Sequence, residues 1–281
     1  MILKRFLEII NLLSLDVVAG AMICHSAFLR LPEGKFTHAT TSTWLLGIAV
    51  FIIYTLDRQL DNLKPEQIAT PRHLFHKQYA KVLKLSVALA MLLGVYLLGH
   101  ITYLTLMVGF GIAFITSIYL VVVSKLSSDS IFQAYKEPVT AFVYASGVCG
   151  TAIVQHSRVF GWMDWALAGI FFVIAFQNLL LFSAFEQQKY PQVHSLGSMW
   201  GSRASRQILY GLFVINLIAI SLILWHSTYS YSVGLGIVEI IMSTVLVLIT
   251  YFESFFVKND RYRWVGDGIF LLPLFLFILI G

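Results

Sequence analysis

The sequence predicts an all-α fold: a polytopic membrane helix bundle of nine transmembrane helices, forming a single domain over residues 1–281. Three observations carry that expectation. Hydrophobic residues make up 58% of the chain and charged residues only 12%, far from the balance of a soluble globular domain. Mean hydropathy is +0.81. Apolar stretches of about 18 or more residues recur along the chain, and these read as spanning helices because backbone N–H and C=O groups cannot be left unpaired in hydrocarbon. Short polar connections separate the stretches, which favours one compact bundle over two domains.

Taken in order, the first span runs from Phe6 to Phe28. Its start, "MILKRFLEIINLLSLDVV", has the basic flank of a secretory signal, but Glu8, Asn11 and Asp16 interrupt the apolar core and no cleavage site follows, so we read a retained helix. The second, Thr43 to Leu60, leaves the membrane through "YTLDRQLDNLKP". The third (Ala80–Gly99) and fourth (Thr102–Val123) are uniformly apolar. The fifth, Pro138 to Gln155, contains "VYASGVCGTA", whose Gly147, Cys149 and Gly150 allow close helix approach. The sixth, Trp162 to Phe185, ends in "FQNLLLFSAFEQQKY". The seventh (Gln207–Trp225) and eighth (Ser232–Tyr251) follow, the eighth carrying an intramembrane Glu239, read as a helix-packing residue or as part of a proton or ion path. "KNDRYRWVGDGIF" opens the ninth, Trp264 to Ile280, and its Arg261, Arg263 and Asp267 predict an internal ion pair.

Orientation follows from the basic residues. Of 19 Lys and Arg, only Arg30, Lys35 and Arg158 fall in the connections that are external if the N-terminus is cytoplasmic. That asymmetry puts the N-terminus inside and, with nine spans, the C-terminus outside, in what we expect to be a bacterial-type inner membrane. The basic balance is thus a topology signal; no interleaved aromatic and basic surface points to nucleic acid. Cys24 and Cys149 lie in different spans without metal-ligand spacing and read as small buried residues.

The chemistry sits at the inner ends of spans two and six. Asp57 and Asp61 occupy the last turns of a descending helix, where the dipole disfavours anions by roughly 0.3–1 kcal/mol and where two carboxylates one turn apart also repel. Something positive must compensate. Arg58, adjacent in sequence, points away from the face that the two aspartates share. A divalent cation would satisfy both; the alternative is a solvated helix end neutralised by nearby lysines. In span six, Asn178, Phe182, Glu186 and Tyr190 recur every four residues and share one face, and Glu186 meets the same kind of helix end.

This arrangement resembles the UbiA superfamily of intramembrane aromatic prenyltransferases. In that family the motif after span two resembles N-D-x-x-D-x-x-x-D, a second run of aspartates at four-residue spacing follows span six, and the two hold magnesium ions that bind an isoprenoid diphosphate. "YTLDRQLD" matches the last two acids at Asp57 and Asp61, with Ile53 and Tyr54 at the preceding family positions. In the second motif Asn178 and Glu186 fit the pattern, while Phe182 and Tyr190 stand where aspartates are expected. The resemblance covers the whole chain in topology and about a dozen residues in chemistry.

It implies a divergent, UbiA-like prenyltransferase that uses Mg2+ held by Asp57, Asp61 and Glu186, transferring a prenyl group to a lipophilic, aromatic acceptor. Arg72, Lys125, Lys136 and Arg203, all in inner connections, are the candidates for the phosphates, with Lys125 and Lys136 ranked first because the family carries basic residues there. Asn178 lies on the substrate-binding motif, and Phe182 offers a ring face to an allylic cation. A non-catalytic isoprenoid- or quinone-binding membrane protein is the alternative from a different class. A small-solute transporter is the third reading, but its helix-breaking residues are expected at mid-membrane, and most of the six prolines lie in connections or at span ends.

Other polar residues have plainer readings. Asp16, with Asn11, is either a group facing the central cavity or a hydrogen-bonded acid that locks helices together. His73, His76 and His194 lack zinc-site spacing and read as solvated or headgroup-facing, and His25, His100, His156 and His226 read as interfacial.

Overall fold

The computed structural model describes residues 8–35, 40–63, 71–125, 130, 135–156, 160–189 and 195–279. They fold into helices: α1 (Leu15–Leu29), α2 (Thr40–Asp61), α3 (Pro71–Gln78), α4 (Ala80–Leu98), α5 (Tyr103–Lys125), α6 (Lys136–Ala145), α7 (Trp162–Lys189), α8 (Leu196–His226), α9 (Ser230–Tyr251), α10 (Glu253–Phe256), α11 (Arg261–Gly268) and α12 (Leu274–Leu279). Among the described residues seven segments are long and apolar enough to cross a membrane: α2, α4, α5, α7, α8, α9 and the composite Lys258–Leu279.

The two other predicted spans are present as shorter helices. In the first, the chain breaks at Ser14, whose backbone is left-handed (φ 55°), and α1 is 15 residues long. Asp16 therefore sits in the first turn of a helix, where its Oδ1 accepts the Val17 N–H at 3.0 Å and where the dipole favours an anion. In the fifth, α6 runs into a π-helical turn at Ser146–Gly150 before Thr151–Ile153. This is the small-residue stretch of the sequence, and Val148 and Cys149 are buried there. The ninth span is likewise segmented: a 3-10 turn at Ile269–Leu271 follows α11, and Pro273 precedes α12, as a residue without an N–H breaks the helical ladder.

α7 is the axis of the bundle. It packs against α6, α8 and α9, and 61% of its apolar window is buried, against 11% for α5. A helix apolar on all sides belongs in such a core, whereas α4 and α5 present their leucines, valines and phenylalanines outward as a bilayer-facing wall. Buried polar residues lock the core. The Ser243 hydroxyl donates to Gln177 Oε1 at 2.7 Å and accepts from Asn216 Nδ2 at 3.2 Å, while Gln177 donates to the Leu209 carbonyl at 3.2 Å. His25 belongs to this group of tethers and is not interfacial: it is fully buried and lies 2.9 Å from the Thr43 hydroxyl.

Where α8 begins, a Cβ on Gly197 would lie 2.7 Å from the Ser183 carbonyl oxygen, so only glycine lets α8 approach α7 this closely. The Gly197 N–H donates to Ser183 Oγ at the same place. α8 extends well beyond its predicted apolar core, with a non-helical residue, Gly201 (φ 76°), inside it. These contacts bring the C-terminal ends of α2 and α7, the start of α6 and the whole of α3 and α11 to one polar end of the bundle.

Candidate functional site

At that polar end lies a cleft of about 80 Å³. α2 contributes Tyr54 and Arg58, α3 Arg72, α6 Thr140, Ala141 and Tyr144, α7 Ala175, Asn178, Leu179 and Phe182, and α11 Arg263 and Asp267, with Val17 and Phe270 closing the apolar side. Its charged lining is three arginines and one aspartate.

Each arginine is fixed differently. Arg72 donates to Asn11 Oδ1 at 3.0 Å and lies 3.5 Å from Asp267 Oδ2. Asn11 in turn donates to Asp16 Oδ2 at 2.7 Å. The predicted Asn11–Asp16 pair is therefore a tether that reaches the cleft through Arg72. Arg263 pairs with Glu186 and stands over the Phe182 ring, 5.4 Å from its centroid. The ion pair expected within the ninth span is thus replaced by two pairs that cross between elements: Asp267 with Arg72, and Arg263 with Glu186. Arg261 instead stacks on Phe255. Arg58 Nη1 lies 3.9 Å from Asp61 Oδ2, which corrects the expectation that Arg58 turns away. That geometry holds for its neighbour Asp57, but Asp61 is three residues on and therefore on the same helix face.

Among the described residues four polar atoms of the lining are buried without a hydrogen-bond partner: Arg58 Nε, Tyr144 Oη, Asn178 Oδ1 and Asp267 Oδ2, the last with only the Arg72 ion pair beside it. Buried polar groups are nearly always paired, so four exceptions around one cleft mark a place prepared for a polar ligand. Gly266 shapes it further, because a Cβ there would lie 2.6 Å from Asn178 Oδ1 and 2.7 Å from the Phe182 ring.

Asp57 and Asp61 do not line the cleft; they stand beside it with Lys136 between them. Lys136 Nζ is 3.5 Å from Asp57 Oδ1 and 3.9 Å from Asp61 Oδ2. Burial alone would depress the lysine, but the two carboxylates outweigh it and hold the ammonium above the ordinary lysine range. His73 Nε2 lies 3.7 Å from Asp61 Oδ2. His73 and His76 are buried at 5% and 2% exposure, not solvated, and His76 Nε2–H donates to the Leu12 carbonyl at 3.1 Å. His194 and Tyr190 lie outside the described residues. The positive charge that the sequence required is therefore protein-borne.

The remaining candidates divide. Arg72, Asn178 and Phe182 line the cleft. Lys125 and Arg203 are exposed and outside its lining. Glu186 reaches the site only through Arg263. Among the described residues no three His, Cys, Asp or Glu side chains are grouped to hold a metal ion. With a cation against each of Asp57, Asp61 and Glu186, the set does not fit a magnesium ion, which requires carboxylate oxygens at about 2.0–2.1 Å in near-octahedral array. Of the polar lining residues, Arg58, Tyr144 and Arg263, with Tyr54, Thr140 and Asp267, are ones that sequence reasoning did not assign to a site. For Arg58 a signal was available, since it lies four residues after Tyr54 on one helix face.

No protein family is matched by the sequence, and no curated protein matches it. The fold, however, is similar to that of a UbiA homolog from Archaeoglobus fulgidus bound to Cd2+. The two structures superpose with a TM-score of 0.64 over 96% of this chain and 98% of the other, at 12% sequence identity. The chain has the UbiA fold.

Proposed function

We propose that this protein is a membrane prenyltransferase of the UbiA type that binds the diphosphate of an isoprenoid donor in the arginine cleft and transfers the prenyl group to a lipophilic, aromatic acceptor. The observation that carries the reading is the convergence of Arg58, Arg72 and Arg263 on one cleft whose opposite wall is apolar and aromatic. Arginine forks match phosphate oxygens and are always charged. The expected orientation puts this end at the cytoplasmic surface, with the donor's tail running from the apolar wall toward the bilayer.

In the reaction the allylic C1–O bond breaks and its electron pair stays on the diphosphate. The nucleophilic atom of the acceptor bonds to C1, and the proton it loses passes to water at the polar end. Arg58, Arg72 and Arg263 stabilise the charge that grows on the leaving group, and because they are already oriented, little reorganisation is needed when it forms. The faces of Tyr144, Phe182 and Phe270 stand beside the cleft, and a ring face attracts a cation by about 0.5–2 kcal/mol. The Cd2+ bound to the archaeal homolog supports a divalent ion in the fold at large, and Mg2+ on Asp57, Asp61 and Glu186 was the expectation for this chain. The carboxylates here are already engaged by cations, so no step is assigned to a metal.

The test is release of inorganic diphosphate from farnesyl diphosphate by the purified full chain, in magnesium-containing buffer, on addition of a panel of lipophilic phenols. Acceptor-dependent release with a prenylated product is the expected result. Saturable binding with no release across the panel would instead favour the non-catalytic isoprenoid-binding alternative.

A further inference from the structure

The two carboxylates and the lysine between them are each misplaced when taken alone. Asp57 and Asp61 end α2, at the negative pole of its dipole, and Lys136 opens α6, at a positive pole. Each placement is unfavourable in isolation. Brought together, they cancel: the ammonium lies within 3.5 Å of one carboxylate and 3.9 Å of the other. The side chains of Asp57 and Asp61 are only 18% and 10% exposed, so water does not relieve them. Arg58 adds positive charge beside Asp61. Lys136 thus occupies the position from which a cation would bridge the two acids, and the neighbouring cleft presents three further fixed cations.

We infer that Lys136 does the electrostatic work of a divalent ion here, so that this chain binds an isoprenoid diphosphate without magnesium. The inference rests on the prenyl-transfer reading of the cleft. Lys136 acts as a positioning residue: together with Arg58, which lies against Asp61, it offsets the charge of Asp57 and Asp61, which would otherwise repel the anion, while Arg58, Arg72 and Arg263 face the cleft. For magnesium to take both carboxylates, the ammonium would have to leave, because two cations cannot share the gap. Removing the lysine should therefore create a metal requirement that the native chain lacks.

The experiment is equilibrium binding of labelled farnesyl diphosphate to the detergent-solubilised full chain, in EDTA and in magnesium, for wild type, Lys136→Gln and Lys136→Arg. Wild type is expected to bind equally in both, within about threefold. Lys136→Gln should bind roughly tenfold more weakly in EDTA and recover in magnesium. Magnesium should also raise the melting temperature of that variant and not of wild type, a readout independent of the substrate. Lys136→Arg keeps the charge and should retain metal-free binding. Wild-type binding that appears only with magnesium overturns the inference and leaves the prenyl-transfer reading standing. Binding in neither condition overturns both. Should Lys136→Gln not fold, the two wild-type arms and Lys136→Arg decide the matter, and a Lys136→Gln protein that binds like wild type in EDTA removes the role given to the lysine.

Discussion

Arg72 is the residue whose removal the structure prices most clearly. Its side chain is 11% exposed and that of Asp267 8%, and the two lie 3.5 Å apart. Arg72→Gln leaves Asp267 without its cation in a buried setting, and breaking a buried pair from one side costs about 3–5 kcal/mol. The hydrogen bond to Asn11 Oδ1 is lost or weakened as well, for about 1 kcal/mol more. Asp267→Asn in the same chain removes the stranded charge, so the double variant should recover roughly half of the loss. A double-mutant cycle by equilibrium unfolding in mixed micelles measures both numbers, and the coupling expected for groups in direct contact is about 1–3 kcal/mol. A loss below about 1 kcal/mol for Arg72→Gln, or strictly additive single effects, would refute the claim that the pair bears on the fold.

Three further predictions concern other parts of the molecule. Gly266→Ala gains up to about 1 kcal/mol of helix propensity but places a Cβ against Asn178 and Phe182, an overpacking cost of about 1–3 kcal/mol; farnesyl diphosphate binding should weaken, and unchanged binding would contradict the role given to these two side chains. Burial raises Glu137 above its ordinary 4.5, against opposing bonds from the Ser183 hydroxyl and the Leu196 N–H. Its folded pKa is raised, so its stabilising contribution is complete below pH 4.5 and is lost as pH rises through the raised value. Melting curves across pH should accordingly show Glu137→Gln gaining on wild type as pH increases, and a constant difference would be the wrong result. Glu239 is 1% exposed and neither carboxylate oxygen has a hydrogen-bond partner among the described residues. Glu239→Leu should then stabilise the protein by about 1–3 kcal/mol, and a destabilised variant would mean the carboxyl has a partner or a purpose.

The parts of this architecture that were legible in the sequence depend on local pattern. Apolar run length located the long spans, and the four-residue spacing of Asp57 with Asp61 and of Asn178 with Phe182 put those residues on shared helix faces that meet at one end. What was not legible depends on contacts between distant segments. Lys136 and Asp57 are 79 positions apart, and nothing within either helix announces the other. His73 and His76 sit in a basic, polar segment that reads as solvated; only docking of α3 over the bundle end buries them. The break at Ser14 needs a left-handed residue that is not glycine, a conformation serine rarely signals. Arg263 was hidden for a similar reason: the ninth span reads as continuous, whereas its segmentation lets α11 turn an arginine toward α7.

Saturable binding of farnesyl diphosphate tests the arginine cleft most directly, measured with magnesium present so that the metal question stays separate. The comparison is wild type against Arg58→Gln and Arg263→Gln, with folding verified by melting temperature. Wild-type binding that weakens by roughly tenfold or more in each variant is the predicted result. Folded variants that bind as wild type does, or a folded wild type that does not bind, would contradict the assignment of this cleft to a diphosphate.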